Sequence, residues 1–243
     1  MATLRRRSEP QPPSHESPAE RQELFNRIAP VYDKNSRKVV RMSKNKPKNR
    51  AKEGDKVLDV CCGSGDLSFL LSLKVGINGK VTALDFSKEL LDIAASRQRE
   101  WSKSKPCYKN IEWIHGDAVA LPFPDSSFDA ATISYGLRNV VDRKKALEEM
   151  VRVLKSGAKL SVLDFNKSTN RLTSKIQDWM IDYVVVPVAT WYGLASKYRY
   201  LKNSIKEYLT GKELEKLALE AGFSEAKHYE IACGSMGNLV ATR

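Results

Sequence analysis

The sequence predicts an α/β fold, a Rossmann-like and mostly parallel sheet of about seven strands with helices on both faces. Three observations lead to this prediction. Short apolar strand-like segments alternate with helical stretches from residue 56 to residue 165, a pattern that requires parallel strands joined by crossovers. An apolar strand, Lys56–Val60, is followed by a glycine-containing loop. A second strand, Lys80–Asp85, ends in an acid about 20 residues after those glycines, which is the spacing of a βαβ unit.

The later strands follow the same alternation. Three further parallel strands are predicted at Ile111–His115, Phe128–Ser134 and Leu160–Phe165. Two final strands, near Tyr229–Cys233 and Asn238–Thr242, complete the sheet.

Four helices are predicted from capping residues and from apolar positions that recur with helical spacing. They cover Asp66–Val75, a stretch from the cap Ser87 to about Trp101, a stretch opened by Asp142, and a stretch opened by a Thr210–Glu213 capping box. The inward-facing residues of the last two are Leu147, Met150, Val151 and Leu154, and Leu214, Leu217, Ala218 and Ala221. Glycines, Gly157 and Gly222, are expected to end these two helices.

The chain carries a formal net charge of +12, but the charge is not evenly spread. Residues 34–52 hold nine Lys or Arg and no acid, whereas residues 53–243 are nearly balanced. Such a stretch is either a solvated basic linker or a patch for anionic lipid headgroups or nucleic acid. The stretch lacks interleaved aromatic residues for base stacking, which makes nucleic acid the weaker partner. No run of 18 apolar residues is present, so no membrane span is predicted.

The domain organisation follows from length and composition. Residues 1–19 are rich in Arg, Ser, Pro and Glu without an apolar core, which predicts a disordered or targeting segment rather than a secretory signal. Residues 20–243 are expected to form one domain, with an amphipathic helix near its start at 21–29 and 34–52 as an atypical basic segment. The four cysteines, Cys61, Cys62, Cys107 and Cys233, have no CxxC spacing and are predicted to be reduced thiols.

The glycine loop decides which cofactor the fold is built for. A dinucleotide fingerprint needs a third glycine at position 68, where this chain has serine, and a P-loop needs a lysine directly after its second glycine. What remains is an acid in the first strand, a bare loop, and Asp85, which is placed to accept from both ribose hydroxyls. That combination suits S-adenosyl-L-methionine, whose sulfonium and amino groups are cationic.

The candidate cofactor-binding residues lie where consecutive parallel strands end, because ligands of open α/β sheets bind beyond the carboxyl ends of the strands. For a single acid of this set, a helix N-cap is the alternative explanation. Four strand ends in phase favour a binding site instead. The predicted residues are Asp59, Gly63, Ser64, Gly65, Asp85, Phe86, Asp117, Ala118 and Ser134.

Longer motifs carry a resemblance to a known family. The residues 59–66, Asp85, 116–118, 121–124 and 135–140 resemble the class I S-adenosylmethionine-dependent methyltransferases that C-methylate quinone precursors of ubiquinone and menaquinone. Residues 25–33 and 237–240 resemble the same family. The motifs at 61–67, 164–167, 179–182, 184–188 and 208–211 are most similar to its plant-type branch, which acts on a prenylated naphthoquinone.

This resemblance implies methylation of a reduced prenylated naphthoquinone in phylloquinone or menaquinone biosynthesis. It also implies a chloroplast location, in the stroma or associated with a membrane; the alternative location is the cytoplasm. The candidate catalytic residues are Arg138, which would stabilise the phenolate of the acceptor, with Tyr135 and Asn139 orienting the ring. A surface or helix-capping role is the alternative for Arg138. The apolar run Trp179–Ala195 would cover the prenyl tail or pack in the core. No metal is expected, since the chemistry needs none and no side-chain cluster has metal-ligand spacing.

One segment departs from the family pattern and keeps other functions open. The basic residues 34–52 stand where the family has an apolar helix with His-Arg and Trp-Lys motifs. The alternatives are therefore C-methylation of a benzoquinol or another small molecule, or a catalytically impaired variant that binds anionic surfaces or nucleic acid through 34–52. Peripheral membrane contact and a homodimer are compatible with the sequence, which does not fix the oligomeric state.

Overall fold

The structure is a computed structural model that describes residues 51–166, 204–231 and 234–243. These residues form a seven-stranded sheet with the order β3-β2-β1-β4-β5-β7-β6. The first five strands are parallel, whereas β7 pairs antiparallel with both β5 and β6. Their bounds are β1 Lys56–Val60, β2 Lys80–Asp85, β3 Ile111–His115, β4 Phe128–Ser134, β5 Leu154–Phe165, β6 Glu225–Ile231 and β7 Met236–Thr242. The predicted fold class is confirmed.

The helices begin at the residues that the sequence predicts. Ser87 Oγ accepts from the Leu90 amide at 3.3 Å, Asp142 Oδ1 accepts from the Lys145 amide at 2.9 Å, and Thr210 forms its capping box with Glu213. The helices are α1 Asp66–Val75, α2 Lys88–Trp101, α3 Arg143–Val153 and α4 Gly211–Glu220. Short 3₁₀ turns cover Pro106–Asn110 and Leu137–Asn139.

The end of α3 and the start of β5 differ from prediction. The helix ends at Val153, and β5 begins at Leu154 rather than at Leu160. Leu154 pairs with Phe128 across a register shift in β4, and its carbonyl accepts from the Arg243 guanidinium. Gly157 has the positive φ of 73° expected of a helix-ending glycine, but it lies within the strand, where its amide donates to the Arg243 carbonyl. Long-range pairing therefore extends the strand into residues whose local pattern is helical.

Two hydrophobic clusters cover the two faces of the sheet. The neighbours Val57 and Leu58 belong to different clusters, as expected when successive residues of a strand point to opposite faces. The cluster that contains Val57 also contains Phe69 of α1, whereas the cluster that contains Leu58 also contains residues of α3 and α4. Among the described residues, helices therefore cover both faces of the sheet, and the loops that follow the parallel strands lie at the carboxyl edge.

Some predictions lie outside the described residues. These are the helix at 21–29, the basic segment up to residue 50, the apolar run at 179–195 and the strand end at 233. Within the described part of the chain, none of the helices combines the length and apolar character that crossing a bilayer requires.

Candidate active site

The candidate site lies at the carboxyl edge of the sheet, around the point where the strand order reverses. Strand β1 pairs with β2 on one side and with β4 on the other, so the loops after β1 and β4 diverge to opposite faces. The structure places Asp59, Asp85, Asp117 and Ser134 at or just beyond the ends of β1 to β4. The sequence-predicted residues therefore share one edge of the sheet.

The glycine loop after β1 has an unusual backbone. Cys61, Gly63 and Gly65 have φ values of 55°, 55° and 87°, all in the left-handed region that favours glycine. A Cβ on Gly65 would lie only 2.5 Å from Cη2 of the Trp113 ring. This glycine is thus required both by conformation and by close packing, and it lets α1 begin directly after the loop.

Asp85 connects the loop to the next crossover. Its Oδ2 accepts from the Gly63 amide at 2.7 Å, and its Oδ1 accepts from the Ser87 amide at 2.8 Å. Burial raises the pKa of this carboxyl, while the two amides act against that rise. A carboxylate oxygen has two lone pairs, so each oxygen can accept a second hydrogen bond from a hydroxyl such as those of a ribose. Phe86, directly after Asp85, is half-buried, and its carbonyl contacts His115 Nε2 at 3.1 Å.

The side chain of Asp59 is almost completely buried. It is 1% exposed, and its Oδ2 accepts from the Ser68 hydroxyl of α1 at 2.5 Å. Burial raises the pKa of Asp59 to about 7; the hydrogen bond from Ser68 lowers it, and the charge of Asp85 raises it further. The carboxyl therefore changes charge near neutral pH, and a cation bound beside it would favour the ionised form.

The loop after β3 holds Asp117 and Ala118, two of the predicted cofactor-binding residues. Asp117 is half-buried, and its Oδ1 accepts from the Val119 amide at 3.1 Å, which holds the side chain in a turn. Ala118 is buried, as is the side chain of Ser64 on the glycine loop. A carboxylate in this position can accept from an exocyclic amino group, while backbone amides of the loop can meet a ring nitrogen.

The thiols of Cys61 and Cys62, at the start of the glycine loop, are protonated at neutral pH. Burial raises the pKa of both Cys61 and Cys62 well above the usual value, and the nearby carboxylates add to the rise. Cys61, Cys62 and Cys107 are free cysteines. Protonated thiols are weak nucleophiles. The side chains of Cys61 and Cys62 are both partly buried and pack against the hydrophobic clusters.

The three candidate catalytic residues lie on the loop after β4, where the side chains of Arg138 and Asn139 donate to the backbone carbonyl of Tyr135. Tyr135 has a φ of 57°, and its carbonyl accepts from Arg138 Nη1 at 2.5 Å and from Asn139 Nδ2 at 3.3 Å. Arg138 is 8% exposed, and its Nη1 also donates to Asp164 Oδ1 at 2.7 Å. Arg138 is thus a buried charge with a buried partner, rather than the surface arginine that the sequence leaves open.

Two buried hydroxyl groups lie on the same part of the fold. Ser134 Oγ, at the end of β4, and Tyr208 Oη have no hydrogen-bond partner among the residues that the structure describes. Burial raises the pKa of Tyr208 well above the usual value, so the phenol is protonated at neutral pH. Cζ of Arg143 lies 5.6 Å from the centroid of the Tyr208 ring, and Nη2 of Arg143 donates a hydrogen bond to the Arg138 carbonyl oxygen at 2.8 Å.

Three further residues shape the site and are absent from the sequence-predicted set. Asp164 lies at the end of β5, where the strand-end rule used for the other acids would have found it. Ser68 and Arg97 lie inside helices, and only the fold shows that they reach Asp59 and the glycine loop. Sequence spacing gives no signal for contacts of this kind.

The strand order, with the glycine loop after β1 and Asp85 at the end of β2, is that of the class I S-adenosylmethionine-dependent methyltransferase fold. A crystal structure of a SAM-dependent methyltransferase from Aquifex aeolicus matches with a TM-score of 0.61 at 21% identity, covering 91% of this chain and 97% of that one. The ubiE/COQ5 methyltransferase family profile matches residues 15–243. The chain belongs to the ubiE/COQ5 methyltransferase family, and the resemblance seen in its motifs is confirmed.

Two relatives are similar to this chain over most of its length. The chain is 62% identical over 231 residues to the chloroplastic 2-phytyl-1,4-beta-naphthoquinone methyltransferase of Arabidopsis thaliana, covering 92% of this chain and 87% of that protein. It is 45% identical over 234 residues to the 2-phytyl-1,4-naphtoquinone methyltransferase of Synechocystis, covering 91% and 94%. Both matches extend over most of each chain.

Proposed function

We propose that this protein transfers a methyl group from S-adenosyl-L-methionine to a ring carbon of a reduced prenylated naphthoquinone, the last methylation of phylloquinone or menaquinone biosynthesis. The observation that carries the proposal is the 62% identity to the Arabidopsis thaliana naphthoquinone methyltransferase over 92% of this chain. The strand-end site described above supplies the chemistry that such a reaction needs.

The cofactor is assigned to the loops after β1, β2 and β3 and to Ser134 at the end of β4. Asp85 accepts from the ribose hydroxyls, with Phe86 beside it. Asp117 and Ala118 meet the adenine, and Gly63, Ser64 and Gly65 let the ligand lie against the backbone. Asp59 and Ser134 border the methionine part, where the buried carboxylates favour a cationic ligand. The residues present fit S-adenosyl-L-methionine, since a carboxylate-rich edge would repel the pyrophosphate of a dinucleotide.

The acceptor is assigned to the loop after β4. The Arg138 guanidinium is permanently charged, so it can stabilise a phenolate without giving up a proton. Tyr135 and Asn139 orient the ring. When bound, S-adenosyl-L-methionine would supply the methyl group as its carbon–sulfur bond breaks and the electron pair stays on sulfur, and the displaced ring proton would leave through water. Holding the two reactants in contact can account for roughly 7 to 11 kcal/mol of the barrier.

Asp59 makes cofactor binding dependent on pH. Because burial raises the pKa of Asp59 to about 7, a fraction of the protein carries a neutral carboxyl at neutral pH. A cationic ligand favours the ionised form, so binding releases a proton, and affinity rises as pH rises through the pKa. We expect the affinity for S-adenosyl-L-methionine to increase about tenfold between pH 6 and pH 8.

Isothermal calorimetry in buffers of different ionisation enthalpy measures this proton release directly. The Asp59→Asn variant keeps an oxygen that can accept from Ser68, and it should lose most of the pH dependence. S-adenosylhomocysteine, which lacks the sulfonium charge, should show a weaker dependence with the unchanged protein. An equal slope for the wild type and Asp59→Asn would contradict the assignment.

The location is proposed from the same relative. We assign the protein to the chloroplast, in contact with a membrane surface where a prenylated quinol resides. The positive charge of residues 34–52 suits anionic headgroups, since each basic residue near such a surface contributes about 1 kcal/mol. Nucleic acid is not expected as a partner.

The decisive test is methyl transfer itself. Recombinant protein is incubated with radiolabelled S-adenosyl-L-methionine and a demethylated naphthoquinol under reducing conditions, and the labelled lipid is counted. We expect product only when the quinone is reduced, and a higher kcat/KM for the naphthoquinol than for a benzoquinol of equal tail length. Preference for the benzoquinol would favour the alternative substrate. Cofactor binding without any product from either would favour a catalytically impaired protein.

A further inference from the structure

Arg97 of helix α2 reaches across to the glycine loop, although it is far from that loop in sequence. Its Nη1 donates to the Ser64 carbonyl at 2.6 Å, and its Nη2 donates to Asp66 Oδ1 at 2.5 Å. Ser64 is the residue between the two glycines of the loop, and Asp66 is the first residue of α1. One guanidinium therefore holds both the loop and the helix that follows it.

The guanidinium is itself fixed in place. Its Cζ lies 4.5 Å from the ring centroid of Trp101 and 5.3 Å from that of Phe69. The side chain is 8% exposed, and that of Asp66 is 13% exposed. A planar group packed against two aromatic rings has little rotational freedom, and a buried ion pair is weakly screened by solvent. The contact is therefore rigid rather than a fluctuating surface bridge.

The loop needs such a contact because its backbone is costly to hold. Cys61, a residue with a Cβ, has a φ of 55°, and the two glycines that follow also have positive φ values. Glycines have many alternative conformations, which must be given up when the ligand binds. A loop already fixed through the Ser64 carbonyl gives up less entropy on binding.

We propose that Arg97 is a positioning residue that pre-forms the cofactor loop through Ser64 and Asp66, without touching the cofactor. The inference rests on the proposed function, since it takes the ligand of this loop to be S-adenosyl-L-methionine. It assigns a role in cofactor affinity to a helix residue that lies beneath the site.

Arg97→Lys tests this role while keeping the charge. A lysine ammonium cannot reproduce the planar fork that reaches the carbonyl and the carboxylate together. We expect the dissociation constant and the KM for S-adenosyl-L-methionine to rise about tenfold. The KM for the quinol and the kcat at saturating cofactor should stay within twofold of the wild type, a split that general loss of stability would not produce.

Two control variants separate positioning from stability. Arg99→Lys makes the same change at an exposed position of the same helix and should leave cofactor affinity unchanged. Leu214→Ala removes buried volume from α4 and should lower the melting temperature with an unchanged dissociation constant. Binding is measured by calorimetry well below every melting temperature.

The outcomes distinguish the two proposals. If the wild type binds S-adenosyl-L-methionine and the Arg97→Lys variant binds it about tenfold more weakly, the positioning role is supported. Wild-type binding with equal affinity in Arg97→Lys overturns the role of Arg97 and leaves the proposed function intact. A wild-type protein that does not bind S-adenosyl-L-methionine overturns both.

Discussion

Replacing Asp85 with alanine is expected to weaken the binding of S-adenosyl-L-methionine by at least about 100-fold. The carboxylate is the proposed acceptor for two ribose hydroxyls, and hydrogen bonds to a charged group contribute about 1.5 to 3 kcal/mol each. The variant also removes the acceptor of the Gly63 amide, so the glycine loop loses its link to the end of β2. Calorimetric titration of the folded variant gives the dissociation constant.

A graded control follows from the geometry of Asp85. Asp85→Asn keeps one oxygen for an amide or a hydroxyl but places an NH₂ group against a second donor, so a smaller loss of about tenfold is expected. Asp92→Ala removes an exposed carboxylate from α2 and should bind normally. If Asp85→Ala binds within threefold of the wild type, the ribose assignment is wrong.

Most of the fold could be predicted from the sequence because its signals are local. The caps Ser87, Asp142 and Thr210 start helices through contacts with residues three positions ahead, and the central parallel strands coincide with short apolar runs. The start of β5 could not be predicted in the same way. It depends on pairing with Phe128 and on contacts from Arg243, at the end of the chain, and neither leaves a trace in the local pattern.

The residues of the candidate site also differ in whether they can be predicted from local sequence signals. Residues at strand ends, such as Asp85 and Asp117, follow from topology once the parallel sheet is accepted. Arg97 does not, because its role depends on how α2 lies against the loop in three dimensions. The burial of Arg138 also depends on packing: its sequence motif marks it as special, but only the structure shows Asp164 as its partner.

Arg138→Ala is expected to lower kcat by about 10²- to 10³-fold, the loss typical of removing a charge-stabilising group from an active site. The affinity for S-adenosyl-L-methionine should change little, because Arg138 is not among the proposed cofactor contacts, which lie on the loops after β1, β2 and β3 and at Ser134. The variant should also unfold more easily. Removing one partner of a buried ion pair costs about 3 to 5 kcal/mol, since Asp164 would keep a buried charge without its counter-ion.

The double variant Arg138→Ala/Asp164→Asn separates the two effects, because the neutral amide no longer needs a counter-ion. If Arg138 acts on the acceptor, the double variant regains much of the melting temperature and none of the turnover. If Arg138 only balances the buried charge of Asp164, turnover should recover together with stability in the double variant. Full turnover in Arg138→Ala alone would show that the reaction needs no charge at this position. Steady-state kinetics at saturating cofactor, with thermal unfolding of the same samples, therefore distinguish a catalytic arginine from a structural one.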